Sequence, residues 1–282
     1  MLKVLQPGLH TSIQDIGRFG FRNIGVPSSG VMDSISAGFA NALLNNSTNS
    51  AVLEITMHGP KLEFTTPTTI VISGAEISAK LNNKAISNYK LYSVKSGAIL
   101  SFGKLQKGLH CYLAVRGGFQ TKEVLKSRSF YKGITAQGLL KKQDVIPYNK
   151  EISVAKAGNS VINSKKQFFE TAILKVYKGP EFEVFTKNEQ KLVLSSVHTV
   201  SNQINRMGYR LKETLIPHHK TIITSPVLPG TVQLTPTGQL IVLMKDAQTT
   251  GGYPRIFQLT DKSIAVLAQK KEGDLFKFEL ID

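Results

Sequence analysis

The chain has 282 residues, 41% hydrophobic and 19% charged, which suits two soluble domains of average size. No run approaches the roughly 20 apolar residues of a membrane-spanning helix, Met1–Pro7 lacks the apolar stretch of a secretory signal, and a lone cysteine, Cys111, excludes an internal disulfide and fits a reducing cytoplasm. The net charge of +16 would suit an anionic partner, but the lysines are scattered and no nucleic-acid-binding spacing occurs, so neither a nucleic-acid nor a membrane partner is expected.

The first dense segment is Pro7–Arg22, whose glycines and proline break any helix. Gln14, Asp15 and Arg18 read either as a site for a polar ligand or as a surface ion pair of Asp15 with Arg18. Gly25–Asp33 follows and leads into helical spacing at Ile35, Phe39, Ala40, Leu43 and Leu44. Asp33 stands at the N-cap position. The same helix end could instead receive an anion.

From Ala51 to Tyr148 short β-branched and aromatic runs alternate with Gly or Pro, the pattern of a sandwich or barrel. The predicted strands are Val52–Thr56, Lys61–Phe64, Thr69–Ser73, Tyr89–Lys95, Ile99–Phe102, Cys111–Val115 and Asp144–Tyr148. Glu54, Glu63 and Glu76 are read at strand ends. Residues 151–170 lose the alternation and form the predicted linker, dividing the chain into domains 1–150 and 171–282. Strands resume at Ala172–Tyr177. The motif Arg-x-Gly-aromatic-Arg occurs at Arg18–Arg22 and again at Arg206–Arg210, with His10 aligned to His198, which suggests an internal duplication. A helix is predicted at Lys262–Gln269 with Asp261 as its cap, and a half-buried strand at Leu275–Leu280.

One stretch carries most of the chemistry. Leu240–Met244 reads as a buried strand and runs into Lys245–Arg255, a loop of acid, amide, hydroxyls and two glycines before the next strand candidate, Ile256–Leu259. The loop is long for a hairpin tip, and glycine lets a ligand approach the main chain. Phosphate-loop, dinucleotide-binding and nucleophile-elbow patterns are absent from the sequence. Cys111 reads as a core thiol facing away from His110. The six histidines, His218 and His219 included, show no ligand spacing, and no metal site is expected. Acids, arginines, amides and hydroxyls remain, a set suited to holding a small anion and polarising a carbonyl.

Gln14–Arg18, Ser29–Asp33, Leu53-Glu54, Asn205–Leu211 and Gln248–Pro254, in that order, resemble the KipA family, which takes in the allophanate hydrolase second subunit and the 5-oxoprolinase C subunit. Glu76 stands where that family usually has aspartate. The resemblance implies a mainly β fold of two cyclophilin-like β-barrel domains with a few short helices. It implies one component of an ATP-dependent 5-oxoprolinase that opens 5-oxo-L-proline to L-glutamate, inactive alone and working with a KipI-type B component and a LamB/YcsF-type A component. ATP would be used at the level of the complex. Related urea carboxylase domains imply an alternative, biotin-dependent carboxyl transfer, with biotin on a carrier elsewhere. A further alternative is regulation of a KipI-type kinase inhibitor. By resemblance Asp15, Asp246, Gln248, Thr249 and Thr250 are the catalytic candidates. Arg18, Ser29, Asp33, Arg206, Tyr209, Gly251, Gly252 and Tyr253 are the substrate-binding candidates. Arg18 and Arg206 would hold a carboxylate or phosphate, and Asp15 and Asp246 would orient them or relay a proton.

Overall fold

A computed structural model describes residues 1–149, 168–215, 217 and 221–281. Most of the predicted 151–170 linker, and the pair His218-His219, lie outside the described residues. The chain is mainly β, with three α-helices among the described residues, and divides into two compact units. One comprises Met1–Arg18 and Ser29–Lys165; the other comprises Phe19–Ser28 and Lys166–Asp282.

The first unit has a six-stranded and a five-stranded sheet. In the five-stranded sheet, Thr68–Glu76 and Lys107–Val115 pair antiparallel, with Val52–Thr56 beyond them and His10–Gln14 next to that. Its two faces are covered differently. Leu53, Ile55, Ile70, Ile72, Cys111 and Leu113 pack with Leu2, Val4, Leu62, Phe64 and Leu100 of the six-stranded sheet. Val52, Val71, Tyr112 and Ala114 point the other way, onto Ala37, Ala40 and Leu44 of the helix Ser34–Leu43 and its C-terminal end. Burial on both faces removes the in-out alternation of a half-exposed strand. Thr68–Ala75 is accordingly buried throughout, and the strand outruns its predicted Thr69–Ser73 span by three residues at its end. Asp33 caps the helix as expected, its Oδ1 accepting from the N–H groups of Ile35 and Ser36 at 3.0 Å each. Cys111 is fully buried, and burial pushes its thiol pKa up, as a core thiol requires.

The second unit closes seven strands into a barrel in the order Ile173–Lys178, Arg255–Leu259, Thr231–Leu234, Gln239–Leu243, Gly208–Thr214, His198–Ile204, Leu275–Leu280. The first and last pair in parallel and complete the ring, leaving no open sheet edge in that barrel. Its last helix is Asp261–Ala268, and the cap is Thr260, not Asp261: the Thr260 hydroxyl accepts from the Ser263 N–H. A helix not expected from the sequence, Lys187–Ser195, is started by a capping box between Thr186 and Glu189.

The two Arg-x-Gly-aromatic-Arg motifs adopt different conformations. Arg206–Arg210 belongs to a hairpin between His198–Ile204 and Gly208–Thr214, whereas Arg18–Arg22 lies outside any strand and Gly20 is left-handed, φ +88°. The motif therefore does not mark one repeated structural unit.

His198 is buried between Phe276 and Phe278, its Nε2 2.9 Å from the Val193 carbonyl. Burial lowers its pKa against the opposing pull of the Val193 carbonyl and of Glu213. The neutral ring is thus the folded form, and the unfolded chain binds the extra proton first as pH falls. Stability is expected to decline below about pH 6.5, by at most about 1.4 kcal/mol per pH unit from this group. Urea unfolding of wild type and His198→Phe at pH 7.5 and 5.5 checks this: wild type should lose more across the interval than the variant.

Candidate active site

The site residues fall into two groups, one in each unit. In the first, the strand His10–Gln14 ends and the chain turns at Asp15. The Asp15 carboxylate accepts four hydrogen bonds: from Gly17 N at 2.9 Å, Ser127 Oγ at 2.7 Å, Ser129 Oγ at 2.6 Å and Arg128 N at 2.6 Å. Arg18 is fully buried and donates from Nε to the Val124 carbonyl (3.1 Å) and from Nη2 to the Ser129 carbonyl (2.6 Å). The surface-pair expectation is corrected here. Both side chains are buried, and both bind the segment Val124–Ser129, to which no local pattern in the sequence links them.

Ser29-Gly30 packs on this turn. A Cβ on Gly30 would sit 2.8 Å from the Ile16 carbonyl oxygen, and Gly30 has φ +92°, so glycine is required twice over. Ser29 itself is left-handed (φ +53°) and buried, and its hydroxyl has no hydrogen-bond partner among the described residues. A strained backbone holding an unpaired buried hydroxyl is the kind of feature that collects at functional sites.

Next to it lies a buried polar cluster that sequence reasoning missed. Tyr112 donates its hydroxyl proton to Glu54 Oε2 (2.9 Å) and accepts the Asp33 N–H (2.7 Å), while Glu54 Oε2 also accepts the Met32 N–H (2.7 Å). Glu54 stands inside its strand, not at its end, and is buried. Burial, and then the charges of Glu54 and Asp33, raise the Tyr112 pKa well above the usual phenol value, so it remains a donor. Glu76 ends its strand exposed, across from Lys107.

The second group surrounds the exit of the strand Gln239–Leu243. Met244 N and Asp246 N donate to the carbonyls of Met207 and Arg206, clamping the loop to the hairpin turn. Across that clamp Arg206 grips Asp246 with two bonds, Nε to Oδ2 at 2.7 Å and Nη2 to Oδ1 at 3.0 Å. The pair is largely buried, and its geometry suits Asp246 to orienting the arginine. Beyond it Thr250-Gly251 forms a two-residue strand with Ser225-Pro226. The loop is thus a paired ribbon rather than a free tip. Gln248 and Thr250 are exposed and Thr249 is half-buried, and among the described residues their side chains have no hydrogen-bond partner. Gly251 and Gly252 are half-buried beside them, and Tyr253 is 40% exposed.

Two arginines complete this group. Arg22 Nη2 donates to the Val227 carbonyl and reaches the Thr249 carbonyl at 3.5 Å. Arg255 holds Glu181 through Nε (2.9 Å) and Nη2 (2.7 Å) and also donates to the Pro226 carbonyl (2.9 Å). The Arg255 hydrogen bond is the main cause that lowers the Glu181 pKa. Both arginines are visible in the sequence, but their carbonyl partners are distant in the chain and give no local signal. Tyr209 is placed apart from the exposed groups: it is buried, and its hydroxyl donates to the Ala268 carbonyl at 3.4 Å. Among the described residues no three His, Cys, Asp or Glu side chains gather at metal-binding range, and no helix is long and apolar enough to cross a membrane.

Among the described residues, the second unit thus offers the amide and hydroxyl groups of Gln248, Thr249 and Thr250 without side-chain partners, on the loop clamped by Arg206 and Asp246. Comparison with known proteins gives it a family. Residues 24–280 match the family model described as carboxyltransferase domain, subdomain A and B. The chain is 34% identical to the 5-oxoprolinase C subunit of Escherichia coli (strain K12), over 99% of this chain and 90% of that protein. The crystal structure of TTHA0988 superposes with a TM-score of 0.87 at 26% identity, covering 99% of this chain and 55% of that one. The crystal structure of the K. lactis urea amidolyase also gives 0.87, at 29% identity, covering all of this chain and 19% of that one. The chain therefore spans about half the length of the first solved structure and about a fifth of the second. It belongs to the carboxyltransferase-domain family in which the 5-oxoprolinase C subunit is found.

Proposed function

We propose that this chain is the C-type component of an ATP-dependent 5-oxoprolinase, which opens 5-oxo-L-proline to L-glutamate together with a KipI-type B component and a LamB/YcsF-type A component. The observation that carries this reading is the likeness to the 5-oxoprolinase C subunit across nearly all of both chains. In this reading Arg206, aimed by Asp246, holds the substrate carboxylate, since a guanidinium presents two parallel donors to it. Gln248, Thr249 and Thr250 donate to the lactam oxygen as charge develops on it. ATP belongs to the complex, and no residue of this chain is assigned to it. The complex works in the cytoplasm.

The test is reconstitution with the cognate partner chains. Glutamate and phosphate should appear from 5-oxoproline and ATP only when all three components are present. No turnover from a correctly assembled complex would refute the reading. Gln248→Ala should lower kcat/KM of the complex about tenfold or more, the scale of a lost transition-state donor. Its side chain is exposed, so stability should change by no more than about 0.5 kcal/mol.

A second reading, a component of a biotin-dependent carboxyltransferase, is favoured by the description of the matching family and by the urea amidolyase likeness. Turnover that requires biotin on a carrier and is stopped by avidin would select it.

A further inference from the structure

On the outward side of the six-stranded sheet of the first unit lies a cavity of about 330 Å³, lined by Lys61, Asn82, Asn83, Ile99 and Ser101. That volume is within the range of about 300–1,000 Å³ typical of small-molecule sites. The strands Lys61–Phe64 and Ala98–Ser101 turn Leu62, Phe64, Ala98 and Leu100 into the core, which leaves Lys61, Ile99 and Ser101 on the opposite face. Asn82 and Asn83 form the two-residue turn between Lys80-Leu81 and Lys84-Ala85, with φ +48° and +65°. Such a turn demands left-handed residues and favours asparagine.

The chemistry of the lining is one-sided. Asn82 Oδ1 accepts the Ile99 N–H at 2.8 Å, and only an oxygen can do so, which fixes the amide and presents its NH₂ as a donor. Among the described residues the side chains of Lys61, Asn83 and Ser101 have no hydrogen-bond or ion partner. Lys80 stands directly across from Ser101 and adds a second cation at the rim. Glu63, a carboxylate on a neighbouring strand position, is paired in register with Ile99 on one side and with Lys3 on the other. Ammonium, amide and hydroxyl donors thus surround one wall of apolar surface, Ile99.

We propose that this cavity binds a small organic phosphate, its phosphate on Lys61, the two asparagine amides and Ser101, and its carbon skeleton on Ile99. The cavity uses none of the residues assigned to 5-oxoproline turnover and does not rest on that reading.

The test is an NMR titration of the ¹⁵N-labelled chain with glycerol 3-phosphate at constant ionic strength. The side-chain NH₂ signals of Asn82 and Asn83 should shift together and saturate. Lys61→Gln, at an exposed position, should weaken the apparent Kd about tenfold, the scale of one charge-assisted hydrogen bond. Asn83→Asp, which places a negative charge in the lining, should abolish saturation. A response equalled by chloride, or unchanged in Lys61→Gln, overturns the site. Equal saturation by inorganic phosphate leaves Ile99 without a role and overturns the assignment to an organic ligand.

Discussion

Arg206→Ala is expected to destabilise the chain by about 3–5 kcal/mol, read as a lower urea midpoint at unchanged slope. The reason is the partner left behind. Asp246 is 9% exposed and takes both of its described side-chain hydrogen bonds from Arg206, so truncation strands a carboxylate in a largely dry environment. The double variant Arg206→Met with Asp246→Leu removes both charges and should recover most of the loss, because the attraction within a buried ion pair offsets little more than its own desolvation. The two effects on function then separate. If Arg206 holds the substrate carboxylate, the double variant folds but its complex does not turn over 5-oxoproline. A refolded and active double variant would show that the pair is structural only.

Tyr112→Phe is expected to cost about 2–4 kcal/mol, although it deletes a single oxygen. That oxygen donates to Glu54 and accepts from the Asp33 backbone, and Tyr112 and Glu54 are both buried in the five-stranded sheet under the helix Ser34–Leu43. Without it a buried carboxylate loses a donor and a buried N–H loses its acceptor, and water has no easy path to replace either. Urea unfolding measures the loss. Glu54→Gln, which keeps an acceptor for the tyrosine and removes the buried charge, should cost less than Tyr112→Phe. Equal or greater loss in Glu54→Gln would mean that the charge itself, not the hydrogen bond, holds the loop Val31–Asp33 against the sheet.

Some of this molecule is written in short-range pattern. Val52–Thr56, Lys61–Phe64 and Leu275–Leu280 are legible to the residue, because branched and aromatic side chains bounded by Gly, Pro or charge specify an extended chain locally. Asp33 as a helix cap is legible for the same reason, since the capping bonds come from N–H groups two and three residues on. The helix Lys187–Ser195 carries its own signal, Thr186 followed by Glu189, but it buries only Gln190 and Val193 and so lacks an apolar stripe to draw the eye. His10–Gln14 is hidden by the opposite condition: Thr11–Gln14 is buried throughout, and a strand covered on both faces does not alternate.

The amino-acid sequence by itself determined the mainly β class, the strand and helix starts that local chemistry sets, and the Gln248–Tyr253 stretch as the place where polar groups gather. Only the tertiary structure decided what each charged group does. Arg18 and Arg206 sit in the same five-residue motif, yet one bonds to the carbonyls of Val124 and Ser129 and the other grips Asp246. A guanidinium takes a carbonyl, a carboxylate or a ligand anion with the same donors, so its role depends on which acceptor the fold delivers. Those acceptors lie 106, 111 and 40 residues away along the chain, beyond the reach of any local pattern.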